Sequence, residues 1–316
     1  MDTLNDIYRR RWLKARQAFE AQGNRAFPLH QDATISIKDP LAWAFRILRF
    51  FLKITGLLAL GRKQAQKIKL THNRIQSAKI GTRPLKVLHL SDLHLDECVV
   101  DLELIKWKIK EAGAFHYAVI TGDLLSNWSH SQEDNNLEKV KAIVDYLTSA
   151  QKTYFVLGNH DSYQCVELLE TLGVTVLTNQ VDEHPPLDFN HGIEFIGTDD
   201  PHYFYTDDAL KIMQEGNPYN YRIALVHTPE LYKNASENNI DLYLCGHTHA
   251  GQFAFPGGHA PMKRVYRGRR FYKKAWSFRG MSGYTSSGVG TSTIEARFFT
   301  TAEITLHEIT SKNPPL

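Results

Sequence analysis

KVLHLSDLH (residues 86–94) is a short apolar run that ends on an aspartate and a histidine, and four further runs share its form. They are YAVITGD (117–123), TYFVLGNHD (153–161), IALVH (223–227) and LYLCGHTH (242–249). Within them, residues 86–90, 117–121, 153–157, 223–226 and 242–245 read as buried β-strands. Helical patterns occupy 102–112, 136–150, 163–172, 206–213 and 229–239, with further strands at 174–177, 193–197 and 303–307. Such strand–helix alternation predicts an α/β architecture. In open α/β sheets the binding crevice lies beyond the carboxyl ends of the strands. Five strand ends bearing Asp, Asn and His are therefore expected to converge on one small volume.

A lone histidine is usually an ordinary structural residue, and Gly-Asp or Gly-Asn alone is a turn signal. The joint pattern argues otherwise, because chance rarely sets such residues at five successive strand ends. The residue types suit two divalent ions about 3.5–4 Å apart, which hold a phosphoryl oxygen, activate water and stabilise a leaving oxygen. Mixed carboxylate and imidazole ligands favour Mn, Fe or Zn over Mg or Ca, and Mn is the expected activator. One carboxylate has to bridge, and Asp123, midway in the series and behind Gly122, is the candidate. Gly122, Gly158 and Gly246 are expected to let the chain turn sharply after a strand.

Taken in order, Asp92 and His94, Gly122-Asp123, Gly158-Asn159-His160-Asp161, the single His227, and Gly246-His247 with His249 resemble the calcineurin-like metallophosphoesterases. The resemblance covers residues 85 to 310, and it implies an α/β/β/α sandwich of two packed sheets flanked by helices. It further implies that Asp92, His94 and His249 hold one ion, that Asp123 bridges, and that Asn159, His227 and His247 hold the other. His160 is implied to be a non-ligand that faces the phosphate and donates a hydrogen bond or a proton. Asp123 and His160 are thus the implied catalytic residues.

The chain has 316 residues and is 42% hydrophobic, enough for a substantial core in one large domain or two ordinary ones. Cys98, Cys165 and Cys245 are odd in number and lack C-x-x-C spacing, which points to free thiols in a reducing compartment. The net charge of +3 conceals a division. Residues 1–90 hold 18 basic against 5 acidic side chains, leaving 19 against 29 in the remainder. Such asymmetry marks contact with a membrane or with nucleic acid.

Residues 1–80 carry none of the phosphoesterase motifs and read as a basic helical extension to a catalytic domain over 81–316. Residues 2–21 look helical; Arg9-Arg10-Arg11 resembles a twin-arginine export signal, but polar residues 15–25 follow it and export is rejected. LAWAFRILRFFLKITGLLAL (41–60) reads as one helix between Pro40 and Gly61, about 30 Å long. Arg46, Arg49 and Lys53 form a basic stripe on it, and three central charges cost about 2.5–3.5 kcal/mol each in a bilayer. A helix lying in the interface of an anionic membrane avoids that cost. The alternative is a helix packed on the catalytic part with its stripe in water.

Residues 262–280 carry eight basic side chains and no acid, interleaved with five aromatics. Arg264, Arg267, Arg269 and Arg270 are candidates for binding substrate phosphate. The closing G-V-G-T-S (288–292), R-F-F (297–299) and E-I-T-L (303–306) are similar to the YaeI/YkuE branch of bacterial phosphoesterases. That likeness implies a lipid-linked substrate, with the UDP-2,3-diacylglucosamine pyrophosphatase of lipid A synthesis as the example. The expectation is a peripheral enzyme on the cytoplasmic face of a bacterial inner membrane, releasing UMP and 2,3-diacylglucosamine 1-phosphate. A nuclease or a soluble phosphatase uses the same centre without need of the apolar helix. Asp199 and Asp200, after a strand, are read as capping a turn.

Overall fold

A computed structural model describes residues 3–21, 40–128, 131, 135–185 and 191–312; Asp2 and residues 22–25 of the stretches read above lie outside these. Helices α1 (Leu4–Ala21), α2 (Pro40–Ile54) and α3 (Leu57–Ala65) precede β1 (Ile68–Ser77) and β2 (Leu85–Leu90). Then come α4 (Leu102–Glu111), β3 (Tyr117–Thr121), α5 (Asn136–Thr148), β4 (Lys152–Val156), α6 (Cys165–Thr171) and β5 (Thr175–Val176). Next are β6 (Gln180–His184), β7 (Ile193–Gly197), α7 (Asp207–Lys211), β8 (Tyr221–Leu225), α8 (Tyr232–Glu237) and β9 (Leu242–Cys245). The chain ends on β10 (Lys274–Phe278), β11 (Met281–Thr285) and β12 (Ala302–Ser311).

The strands form two mixed six-stranded sheets, ordered β1-β12-β2-β3-β4-β5 and β10-β11-β9-β8-β7-β6. Side-chain alternation explains why they stack. Val87, Val119, Tyr154 and Val156 of the first sheet meet Phe195, Ile223, Leu225, Leu242 and Leu244 of the second in one apolar layer. The intervening residues Leu88, Leu90, Ala118, Ile120 and Phe155 face outward, onto Ile105 and Ile109 of α4 and Val140, Ile143 and Val144 of α5. On the other side Ala224, Tyr243 and Cys245 pack with Ala209 of α7, Ala235 of α8 and Tyr8 of α1. The result is the α/β/β/α sandwich. Parallel β2, β3 and β4 in one sheet, and β8 and β9 in the other, bring five carboxyl ends to one edge.

The single helix expected over 41–60 is not formed. Gly56 takes a left-handed φ of 74°, and Thr55 Oγ1 bonds back to the Phe51 carbonyl at 2.7 Å, so α2 and α3 are separate. Among the described residues no helix is long and apolar enough to cross a membrane.

At 100° per residue α2 has three faces. Phe45 and Leu52 pack with Leu58 of α3, Ile294 and Ala296. Arg46, Arg49 and Lys53 form a basic flank, with Arg49 bound to Glu295 through two nitrogens. Trp43, Ile47, Phe50, Phe51 and Ile54 form a third face that is 54–65% exposed.

Candidate metal centre

Three of the five strand ends, those after β2, β3 and β9, deliver their side chains through an unusual backbone. Asp92, His94, Asp123, His247 and His249 all have φ between 43° and 66°, the left-handed region that non-glycine residues seldom occupy. Such conformations persist where the surrounding structure holds them and cluster at functional sites. The glycines act by two routes rather than by the single one expected. Gly122 has φ 88°, but a Cβ at Gly158 would lie 2.1 Å from Asp123 Oδ1, and one at Gly246 would lie 1.9 Å from Ser91 Oγ. The last two positions are required for close approach of neighbouring strand ends, not for the turn.

Two trios of buried side chains result. Asp92, His94 and His249 offer ligand atoms within 4.8 Å of one another, and so do Asp123, His227 and His247. Asp123 stands between them: its Oδ2 is 3.3 Å from His227 Nε2 and 3.7 Å from His94 Nε2. Asn159 joins the second trio, with Oδ1 2.8 Å from His247 Nδ1 and 3.1 Å from His227 Nε2.

The tautomers follow from the outer hydrogen bonds. His227 donates through Nδ1 to the Thr121 carbonyl at 2.7 Å, and His247 through Nε2 to the Arg264 carbonyl at 2.8 Å. In their neutral forms His227 Nε2 and His247 Nδ1 are therefore acceptors, and they face each other at 3.2 Å. Asn159 Oδ1 and Asp123 Oδ2 are acceptors too. Four acceptors converging in a buried space need a cation among them. In the first trio His94 Nε2 is buried with no hydrogen-bond partner, as is His249 Nδ1. An unsatisfied buried nitrogen is costly unless something else takes it. The residues present thus fit two ions, and imidazole with carboxylate suits transition metals.

Electrostatics agree for the histidines and Asp123, whereas burial pushes the Asp92 carboxyl up to about 7. Burial pushes His94 down to about 3, and His247 and His249 well down, keeping these rings neutral as a metal ligand must be. Burial alone would raise Asp123, but the His227 charge beside it holds it well below the usual carboxylate range. His227 is correspondingly held far above the ordinary imidazole value against its own burial: without an ion, a proton takes the cation's place.

His160 lies apart from both trios. Its Nδ1 bonds the Ser126 carbonyl at 2.8 Å, its backbone N donates to Asp123 Oδ1 at 2.9 Å, and its ring is 5.1 Å from that of His94. Nε2 is left for the cleft. Arg264 reaches Ser292 Oγ at 3.0 Å and Thr293 Oγ1 at 3.2 Å, and stacks over Phe45 at 5.1 Å. Arg269 turns to the Val265 carbonyl, Arg270 to the rings of Tyr232, Phe271 and Phe278, and Arg267 is exposed. Of the four arginines, Arg264 alone is brought against the metal trios.

Several supporting residues were not read from sequence. Asp161 accepts from the backbone N of Gly158, Asp123 and Leu124 and from Trp128 Nε1, tying the ends of β3 and β4 together. Its place in the G-N-H-D string was the available signal. Arg16 of α1, fully buried, pairs with Asp199 at 2.7 Å and donates to the carbonyls of Gly158 and Asp161. Nothing in the sequence marks it. Asp200 accepts from the backbone N of His202 and Tyr203, the turn cap expected, whereas Asp199 serves the Arg16 pair.

A family profile described as calcineurin-like phosphoesterase matches residues 85–251, a little over half of the chain. An uncharacterized metallophosphoesterase of Helicobacter pylori is 29% identical over 248 residues, covering 73% of this chain and 61% of that protein. This chain thus spans less than two thirds of that relative's length. The phosphodiesterase YaeI of Escherichia coli is 28% identical, covering 70% of this chain and 81% of its own. YkuE, an uncharacterized metallophosphoesterase of Bacillus subtilis, is 26% identical, covering 78% and 87%.

Proposed function

The chain belongs to the calcineurin-like phosphoesterases, and we propose that it hydrolyses a phosphodiester or pyrophosphate bond of a lipid-linked substrate at an anionic membrane surface. The observation that carries the metal-dependent hydrolysis is the convergence of Asp123 Oδ2, Asn159 Oδ1, His227 Nε2 and His247 Nδ1, the donor set of a divalent ion. In this reading Asp92, His94 and His249 hold the first ion, Asp123 bridges, and Asn159, His227 and His247 hold the second. Bound ions supply Lewis-acid polarisation of a phosphoryl oxygen and a lowered pKa for water.

The remaining work falls to the chain's own groups. His160, whose Nδ1–H donates to the Ser126 carbonyl, protonates the departing oxygen from Nε2 as the imidazolium and is left as the neutral ring. Arg264 has no carboxylate partner among the described residues, and burial pushes its pKa down, so a substrate phosphate oxygen would complete its neutralisation. The lipid part of the reading is supported by the exposed apolar face of α2, flanked by Arg46 and Lys53.

UDP-2,3-diacylglucosamine combines a pyrophosphate, one phosphate of which would meet Arg264, with acyl chains for an apolar surface. We therefore place it first among substrates, with UMP and 2,3-diacylglucosamine 1-phosphate as products and Mn as activator. The enzyme would then act peripherally on the cytoplasmic face of the inner membrane. The test presents metal-loaded and chelated protein with that lipid, with single-stranded DNA and with an aryl phosphodiester. UMP release that disappears on chelation is expected. Cleavage of DNA with the lipid nucleotide untouched would replace the lipid reading by a nuclease, and undiminished hydrolysis after full metal removal would overturn the two-metal centre.

A further inference from the structure

A cavity of about 160 Å³ opens directly beside the metal ligand set, between the inner face of α2 and the loop that follows the last histidine pair. Phe45 and Leu48 of α2 form one wall, and Phe253 and Met262 the other. His249, a member of the first trio, and Arg264 also line the cavity. The apolar walls thus meet a ligand of the proposed first ion and the arginine proposed to meet the phosphate. From this juxtaposition we infer that the cavity is a hydrocarbon subsite, which takes the proximal part of an alkyl chain attached within a few bonds of the scissile phosphorus. The inference rests on the phosphoesterase reading and adds to it where the hydrocarbon of the substrate goes.

Size and position limit the occupant. A cavity of about 150 Å³ accommodates one benzene, so this one accepts about six carbon atoms. A longer chain has to leave it. Leu48 lines the cavity yet is 39% exposed, and Phe51, one turn on, belongs to the exposed face of α2. The chain would emerge beside the surface proposed to meet lipid. A free inorganic phosphate has no group to place there. Arg264 joins the two parts of the site physically, since it stacks on Phe45 and its backbone carbonyl accepts from His247 Nε2.

The test is direct binding, read apart from turnover. Metal-loaded protein is titrated calorimetrically with methyl-, butyl-, hexyl- and decylphosphonate. Affinity should rise about fourfold per methylene, the value of one buried CH₂, and level off beyond about six carbons. Leu48→Trp, which fills the cavity, should flatten the series. Met262→Ala, which enlarges it, should move the plateau to longer chains, and two metal equivalents in both variants verify that each is folded. If methyl- and hexylphosphonate bind equally well, the subsite is overturned while the phosphate centre stands. If the metal-loaded protein binds no phosphonate of any length, the phosphoesterase reading and the subsite both fail.

Discussion

Asp123 shows at the scale of one residue how the site is specified. Its side chain faces both histidine trios through Oδ2, while Oδ1 accepts from the backbone of His160. One carboxylate therefore sets the spacing of the proposed ions and the position of the proposed proton donor. His160 itself is separable from metal binding, because its ring nitrogen bonds Ser126 rather than joining a trio. His160→Asn is expected to lower kcat by about 10²–10⁴ with two metal equivalents retained. Elemental analysis alongside initial rates checks this, and loss of an equivalent would make His160 a ligand. The clustered ligand types were legible in sequence because only Asp, Asn and His at strand ends have the necessary atoms. The groups that orient them were not, since the carbonyls of Thr121, Ser126 and Arg264 belong to the backbone, and any residue type supplies one. Asp161 lies between these cases: its type was visible, but its four N–H partners come from two loops and are brought together only once folded.

Elements show a similar divide. The five metal-bearing strands were legible, to within two residues at an end, because a buried strand is a short apolar run with few alternatives. β1 and β10 were not, because both are sheet edges. β1 buries only Ile68 and Ile75 of its ten residues and so lacks an apolar run, and β10 lies inside the basic stretch read as a phosphate-binding loop. Lys274 on an exposed edge also discourages pairing with another chain.

α1 turns out to brace the site. Arg16 binds the carbonyls on either side of Asn159 and His160, and Glu20 accepts from Ser162 Oγ and the Tyr163 backbone. Arg16→Met leaves Asp199 buried without its partner, which should cost about 3–5 kcal/mol. It should also weaken the ion held by Asn159 more than the other. Thermal melting and metal titration together read this; an unchanged second equivalent with only a lower Tm would reduce Arg16 to a packing role.

α2 and α3 are held by Glu295, whose carboxyl is pulled down to about 2 by hydrogen bonds from Arg49 first and Arg62 second. A depressed carboxylate stabilises the fold above its unfolded value of 4.5, and that contribution is lost as pH falls from there toward about 2. Because both arginines are 48% exposed, the pairing is screened and contributes no more than about 1 kcal/mol each. The difference in Tm between wild type and Glu295→Gln should be largest above pH 4.5 and close toward about pH 2. A difference that stays constant across this range would place the stabilisation in packing of Leu52 and Leu58 instead.

At the scale of the molecule, the division of charge acquires a direction. Eighteen of the 37 basic side chains fall in residues 1–90, the segment that includes α2 with its outward apolar face. A monomeric surface rarely leaves a contiguous group such as Trp43, Ile47, Phe50, Phe51 and Ile54 more than half exposed without a partner for it. Two features bear on which partner. Arg46 stacks on Trp43 and lies beside that face, and Lys53 is on the same flank, so apolar and basic groups meet one plane together. An anionic lipid surface satisfies both, with apolar side chains below the headgroups and cations among them. Arg49 is engaged by Glu295 and should contribute less. Each free basic group near such a surface contributes about 1 kcal/mol, so Arg46→Gln with Lys53→Gln should weaken binding to vesicles of phosphatidylglycerol about thirtyfold. Phe50→Ser should weaken it as well, and added salt should affect wild type far more than the double variant, since only charge is screened. Cosedimentation at two ionic strengths measures both effects. Equal, salt-independent partitioning of wild type and double variant, or no binding of wild type at low salt, would remove the membrane from the account and leave the α2 face to another partner.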